Sequence, residues 1–371
     1  MDMERKKILF IHESLTGGGA EKVFVDLMNR FDREKYRVTV LLLYGGGVHE
    51  SSLPEDLELI VLYDRRSLLH KLRNHFISTR DSMYRADLTR ALSGREFDTI
   101  VSYLEGPAMK AHSFIRHLGH RHISWVHINL EVDHWCAFMF RDLAEEARLY
   151  GCVDALVFVS AGARDAFFRM LPVNVPAYVI PNVIDRDEIT RRSELEDVKT
   201  RRFTIVNVGR LESQKRHDRL LRTARILKDR GLEFNLWLLG TGKLEADLKR
   251  MCSEMGLDDC VEFLGFQKNP YIYMRAADLF LLTSDTEGWP TVVCEALTLG
   301  LPVVSTRVTG SEELLAEGAG VLTTLEPEDI ADKVYALATD PETLAGYAAR
   351  ARERGRMFNP DEVLDRIYSL I

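Results

Sequence analysis

One repeated pattern constrains this chain more than any other feature: short β-branched or apolar runs alternate with segments of helical spacing. The first half carries KILFIH (7–12), RVTVLLL (37–43), LELIVLY (57–63), DTIVSYL (98–104), HISWVH (122–127), ALVFVS (155–160) and AYVIP (177–181). The second carries FTIVNVG (203–209), FNLWLLG (234–240), VEFLG (261–265), DLFLLTS (278–284), PVVSTR (302–307) and GVLTT (320–324). Strands that alternate with helices imply parallel sheets covered on both faces. So many strands in one open sheet is unusual, and 371 residues exceed one ordinary core. The expectation is an α/β protein of two doubly wound, Rossmann-like domains, residues 1–185 and 203–358. Between them RDEITRRSELEDVKTRR (186–202) is polar and without an apolar stripe, which reads as a solvated linker. The tail FNPDEVLDRIYSLI returns to helical spacing at Val363, Leu364, Ile367, Leu370 and Ile371.

Charge and cysteine usage narrow the partners. A formal charge of -8 argues against a nucleic-acid binder, which needs a basic surplus. The five cysteines form no C-x-x-C pair and are odd in number, as suits free thiols in a reducing cytoplasm. MDMERKKILFIHES reads as the lead-in to a first strand rather than a signal peptide. No run approaches the roughly 18 apolar residues of a spanning helix, so membrane contact is expected to be peripheral.

In open α/β sheets, ligands bind at the carboxyl ends of the strands. That rule alone selects His12, Glu105, His127 and Ser160 in the first half. In the second it selects Gly209 and Arg210, Gly240 to Gly242, Phe266, and Asp285 to Glu287.

Three stretches sharpen the choice. LTGGGAEK (15–22) joins a strand to a helix, where glycine amides and a helix N-terminus can approach an anion. It is not a full dinucleotide fingerprint, because Lys22 stands where the third glycine belongs, and a tight turn explains it equally well. NVGRLESQKRHDRLL (207–221) sets Arg210 and Lys215 at a loop-to-helix junction. Two such cations fit a diphosphate clamp or a solvated basic loop. TEGWPTVVCEALTLGLPVVS (286–305) places Glu287 in a loop, Pro290 at the expected first helical position and Glu295 in the second turn. Carboxylates accept from the paired hydroxyls of a sugar, so each acid could meet one sugar of a nucleotide-sugar.

These stretches, with GGGAE, HISWVH ending at His127, IPN (180–182) and the E-x(7)-E of Glu287 and Glu295, resemble the GT-B glycosyltransferases of family 4 along essentially the whole chain. The resemblance implies two domains facing across a cleft, with a C-terminal helix (359–371) completing the first. It implies retaining, metal-independent transfer from a nucleotide-sugar, UDP-hexose or UDP-N-acetylhexosamine favoured, with no cofactor. The acceptor implied is a glycan or polyprenyl-linked glycan, as in surface polysaccharide or glycolipid synthesis. By the family pattern Arg210 and Lys215 hold the diphosphate, Glu295 the ribose, and Glu287 with His127 the transferred sugar. Gly18 and Gly19 would close over the phosphates. Gly209, Gly240, Phe266, Gly288, Pro290 and Thr291 complete the donor side, and His12, Glu105 and His127 face the acceptor. VTGSEEL (308–314) departs from the family's Gly-Gly-x-Pro-Glu turn through Glu312, with the turn still expected at Gly310. An epimerase or phosphorylase of the same fold, or a non-catalytic nucleotide-sugar binding module, stays open beside the transferase.

Other patterns are weaker. GTGKLEAD (240–247) lacks the first glycine and the Ser/Thr of a P-loop. Asp185-x-Asp187 and RHLGHRH (116–122) imitate metal sites, the first at the linker and the second as a surface basic cluster. Residues 65–92 combine Arg65, Arg66, Lys71 and Arg73 with a helical apolar stripe. That fits an amphipathic helix packed on its sheet, or a surface docking on anionic lipid.

Overall fold

Each apolar run forms a strand in the computed structural model, which describes residues 5–64 and 81–371. The chain divides into two units, Met1–Val183 with Asp361–Ile371, and Ile184–Pro360. In the first, β1 (Lys6–His12), β2 (Tyr36–Gly45), β3 (Glu58–Asp64), β4 (Phe97–Ser102), β5 (Gly119–Val126), β6 (Ala155–Phe158) and β7 (Ala177–Val179) form one sheet in the order β3-β2-β1-β4-β5-β6-β7. All neighbours are parallel. Helices α1 (Gly19–Arg30), α2 (Asp81–Ala91), α3 (Pro107–Ile115), α4 (Leu143–Tyr150) and α5 (Ala161–Met170) connect the strands. Central β1 is buried from Ile8 through His12, whereas edge strand β3 alternates and leaves Leu59 and Val61 exposed. Coverage on both faces explains the continuous apolar runs of the inner strands.

The second unit repeats the plan. β8 (Phe203–Val208), β9 (Phe234–Leu239), β10 (Val261–Gly265), β11 (Leu279–Leu282), β12 (Val303–Thr306) and β13 (Val321–Thr323) run in parallel in the order β10-β9-β8-β11-β12-β13. Its helices are α6 (Arg186–Ser193), α7 (His217–Asp229), α8 (Glu245–Glu254), α9 (Tyr271–Ala276), α10 (Thr291–Thr298), α11 (Thr309–Leu314), α12 (Pro327–Thr339) and α13 (Pro341–Arg356). In both sheets strand order reverses beside the first strand, between β1 and β4 and between β8 and β11. Ligand sites of open α/β sheets lie outside the carboxyl ends at such switch points.

The linker reading is corrected at its start. Residues 186–193 form α6, which belongs to the second unit. The Asp185 carboxylate caps it, accepting from the Glu188 amide at 3.0 Å, so the D-x-D acid is a helix cap. Ile189 is buried against the unit's core. The Arg192 guanidinium lies 5.1 Å from the Tyr271 ring centroid, and its carbonyl accepts from Asn269 at 2.8 Å. A helix held by one aliphatic side chain and by arginine contacts shows no apolar stripe.

The last helix, α14 (Pro360–Tyr368), packs in the first unit. Leu364, Ile367, Leu370 and Ile371 enter the β1–β2 core, and the Tyr368 ring stacks on Tyr36 at 5.2 Å. The Tyr368 hydroxyl accepts from the Asp32 amide at 2.8 Å.

Among the described residues no helix is long and apolar enough to cross a membrane. Most of the 65–92 segment, including Arg65, Arg66, Lys71 and Arg73, lies outside the described residues. In its described part Tyr84 and Leu88 are buried in the core against the sheet.

Candidate functional site

At the switch point of the second unit, β8 runs into Gly209 and Arg210 and β11 into Ser284 to Glu287. Backbone and side-chain hydrogen bonds stitch the two loops together. The Asp285 amide donates to the Gln214 carbonyl at 2.9 Å, Gln214 Nε2 to the Thr286 carbonyl at 2.8 Å, and Thr283 Oγ1 to the Lys215 carbonyl at 3.1 Å. This brings Lys215 Nζ to 2.5 Å from Glu287 Oε1. Ser284 Oγ donates to the same oxygen at 2.7 Å.

Around that pair the charges balance locally. Arg216, held in the left-handed region at φ 52°, and Arg219 share Asp285 at 3.0 and 2.8 Å. Arg216 also pairs with Asp218 at 2.9 Å. Arg210 is exposed and, among the described residues, pairs with no carboxylate. An anion would therefore meet Arg210 directly, and Lys215 by exchange with Glu287.

The other donor-side residues fall on the same edge of the sheet. Loops after β8, β9 and β10 are joined by the Gly209 amide to the Leu239 carbonyl (2.9 Å), the Leu211 amide to the Thr241 carbonyl (3.0 Å) and the Gly240 amide to the Gly265 carbonyl (2.8 Å). Phe266 follows with 66% of its surface exposed. Glu295 is buried in the second turn of α10, where it accepts from the Tyr271 hydroxyl at 3.1 Å. Pro290 caps α10, whose first helical residue is Thr291, so it sits one position earlier than expected.

Gly310 is also corrected. It does not turn a loop but lies buried in α11. A Cβ there would stand 2.5 Å from the Gly288 carbonyl oxygen and 2.7 Å from Trp289 Cα and Pro290 Cδ. Glycine lets α11 press directly on the loop that follows Glu287. Close backbone approach, not a turn, is the requirement.

In the first unit His12 at the end of β1 and His127 just past β5 flank Tyr103, with ring centroids 6.2 and 4.9 Å away. Burial lowers the His127 pKa to about 3, with the His12 ring adding to the effect and the Tyr103 backbone opposing it. Burial likewise lowers His12 to about 4, against the Ser14 backbone. Both rings are neutral at physiological pH. Glu105 does not present a bare carboxylate. One oxygen accepts from the His127 amide at 2.9 Å and the other from Trp135 Nε1 at 3.0 Å. Burial holds its pKa above the usual carboxylate range. Ser160 caps α5, accepting from the Ala163 amide at 3.2 Å.

The glycine-rich loop is partly occupied by the chain itself. Glu21 accepts from the Gly17 amide at 2.9 Å, from the Gly18 amide and from Thr16 Oγ1 at 2.9 Å. Its carboxylate stands where the sequence reading expects a phosphate, while Gly19 begins α1. Glu21 stands at the third helical position, from which a carboxylate reaches back to the N-cap amide, but Gly18 has no side chain to complete a capping box. Ser284, three residues before Glu287, was the other missed partner. His122 of the supposed surface cluster is buried, its Nδ1 3.1 Å from His112 Nε2.

Comparison with known proteins bears on the family and the fold. The family model "Glycosyltransferase Family 4" matches residues 17–188 and "Glycosyl transferases group 1" matches 188–354. An uncharacterized glycosyltransferase of Haemophilus influenzae is 24% identical over 314 residues, covering 84% of each chain. The N-acetylgalactosamine-N,N'-diacetylbacillosaminyl-diphospho-undecaprenol 4-alpha-N-acetylgalactosaminyltransferase of Campylobacter jejuni is 30% identical over 184 residues, 49% of each chain. The crystal structure of Anabaena HepE with UDP and glucose superposes with a TM-score of 0.78 at 21% identity, covering 98% of this chain and 99% of that one. Two consecutive family matches, two Rossmann-like sheets and a whole-chain likeness in fold converge: the chain is a GT-B glycosyltransferase and belongs to glycosyltransferase family 4.

Proposed function

We propose that this glycosyltransferase moves a hexosyl or N-acetylhexosaminyl group from a UDP-sugar to a glycan or polyprenyl-linked glycan, with retention and without a metal in the transfer step. The observation that carries the reading is Lys215 held on Glu287 beside an exposed, unbalanced Arg210 at the switch point of the second sheet. As the bond from the sugar to the β-phosphate oxygen breaks, the electron pair stays on the diphosphate. Fixed cations aimed at that charge are the largest stabilising effect available. Arg210 and Lys215 fill that role, and in the first unit the amides of Gly17 and Gly18 are open to an anion only when Glu21 yields them.

The acceptor hydroxyl then bonds to the same face of the sugar and passes its proton to the departing phosphate. Glu287 and His127 position the sugar, His127 as a neutral ring that hydrogen-bonds without adding charge. Glu295 receives the ribose hydroxyls. Support comes from HepE, solved with UDP and glucose, and from the Campylobacter relative, whose name carries a diphospho-undecaprenol.

A thermal-shift screen against UDP-, GDP-, ADP- and TDP-sugars, followed by mass spectrometry of products formed on lipid extracts, tests this. UDP-sugars should stabilise the protein, and a lipid or glycan product should gain one sugar at a rate unchanged by added magnesium. Free or epimerised sugar without an acceptor would instead indicate a phosphorylase or epimerase. Binding without turnover on any acceptor would indicate a binding module.

A further inference from the structure

The loop after His127 carries a cluster that the transfer chemistry does not use. His134 Nε2, Cys136 Sγ and a Glu146 carboxylate oxygen lie within 4.8 Å of one another, the one such group among the described residues. His134 and Cys136 sit on successive turns, with the Ala137 amide on the His134 carbonyl at 3.1 Å and the Met139 amide on the Cys136 carbonyl at 2.9 Å. Glu146 comes from α4, whose start is fixed by the Asp142 cap at 2.7 Å and by the Lys110–Glu145 ion pair at 3.1 Å. We propose that His134, Cys136 and Glu146 form a binding site for a borderline divalent cation of the zinc class.

Burial is the first argument. Cys136 is fully buried and Glu146 is 1% exposed, with His134 as its hydrogen-bonding partner at 2.9 Å. A buried carboxylate on a single imidazole is costly unless more positive charge arrives. One dication balances the carboxylate and the thiolate that Cys136 becomes when its proton is released to solvent on binding. Nearby, the Tyr150 hydroxyl lies in the same buried cluster as Cys136.

Geometry is the second. Zinc bonds of about 2.0–2.3 Å to nitrogen, oxygen and sulfur need ligand atoms roughly 3.3–3.7 Å apart in a tetrahedron. The His134–Glu146 pair need only open slightly, with the thiol closing in. A mixed nitrogen, sulfur and oxygen set favours zinc-like ions over magnesium or calcium, which prefer oxygen alone. Gly106 lets Cys136 pack closely here: a Cβ there would lie 2.4 Å from Cys136 Cβ.

The consequence reaches the transfer site. Trp135 stands between two of the ligands and donates to Glu105, whose other oxygen holds the His127 amide. A bound ion therefore fixes the backbone around His127 without taking part in the reaction.

Cobalt(II) titration of chelator-treated full-length protein tests the site directly. Expected are one ion per chain, tetrahedral visible bands and a thiolate-to-cobalt charge-transfer band, all reversed by zinc. Cys136→Ser should abolish the charge-transfer band, and Glu146→Gln should weaken zinc binding at least about 100-fold, beyond the loss typical of an outer-shell partner. Circular dichroism at matched temperature reports whether each variant is folded. Absence of the charge-transfer band in the unaltered protein, or zinc affinity unchanged in a folded Cys136→Ser, overturns the proposal.

Discussion

Lys215 and Glu287 meet at 2.5 Å although 71 residues separate them, and Ser284 donates to the same carboxylate oxygen at 2.7 Å. The cation and the acid are thus set against each other by protein contacts alone. Both sit mostly out of water, so the pair has structural as well as chemical weight. Lys215→Ala should lower turnover by at least about 100-fold, as removal of an oxyanion-hole donor does. It should also cost about 1–3 kcal/mol, because Glu287 loses its counter-charge while buried. The double variant Lys215→Ala/Glu287→Gln separates the two effects. Urea unfolding should return toward the parent value while turnover stays low. If both recover together, Lys215 acts only through stability.

Gly310 gives a different kind of test, because its substitution touches no charge. Gly310→Ala places a methyl group 2.5 Å from the Gly288 carbonyl oxygen. Overpacking of this kind costs about 1–3 kcal/mol. The strain is relieved by moving the loop that carries Glu287, whose carbonyl accepts from the Gly310 amide at 3.4 Å. KM for the nucleotide-sugar should rise and turnover should fall. Parent kinetics in a folded Gly310→Ala would show that the loop tolerates displacement.

These two cases also mark what the residue order revealed. The strands were legible because inner parallel strands are apolar on both faces, and strand ends then pointed to His12, His127, Arg210 and Glu287. The helix α6 was not, since Ile189 is its lone aliphatic anchor and Arg192 packs on Tyr271 instead. Gly310 was recognised as special for the wrong reason. A glycine shows that something is tight, but not which segment presses on it. The loop 128–142 has no period at all, so the meeting of His134 and Cys136 with Glu146 became visible only once α4 was in place.

Glu21 predicts an effect of opposite sign on stability and on ligand binding. Its carboxylate caps α1 through the Gly17 and Gly18 amides, so Glu21→Ala should destabilise the first unit by about 1 kcal/mol. The same carboxylate competes with any phosphate that approaches those amides. Nucleotide-sugar affinity measured by calorimetry should therefore tighten in the variant. Weaker binding would mean that Glu21 itself contacts the donor, or that the loop needs its cap to receive an anion.

Buried histidines weaken the fold in acid, and burial lowers the pKa of His112 and His122 as well as that of the three whose values follow. The folded-state pKa falls to about 4 for His12, about 3 for His127 and about 4 for His217, burial being the main cause in each. Burial keeps the His217 ring neutral, with Nε2 at 3.0 Å from Asn207 Oδ1. Each value lies below the unfolded value of about 6.5, so the unfolded chain takes up protons first as pH falls. The stability they contribute is complete above about pH 6.5 and is lost as pH drops toward about 4, at about 1.4 kcal/mol per unit for each group. Glu105 pulls the other way, since its raised carboxyl pKa favours the folded state at lower pH. Between pH 6 and 5 the first unit, which holds His12 and His127, should lose about 2–3 kcal/mol from the pair before that offset. Urea unfolding of the parent and of His127→Gln across this interval isolates one histidine. The variant should show a shallower pH slope by about half of the pair's contribution. Equal slopes would mean that His127 takes up its proton in the folded state over the same interval.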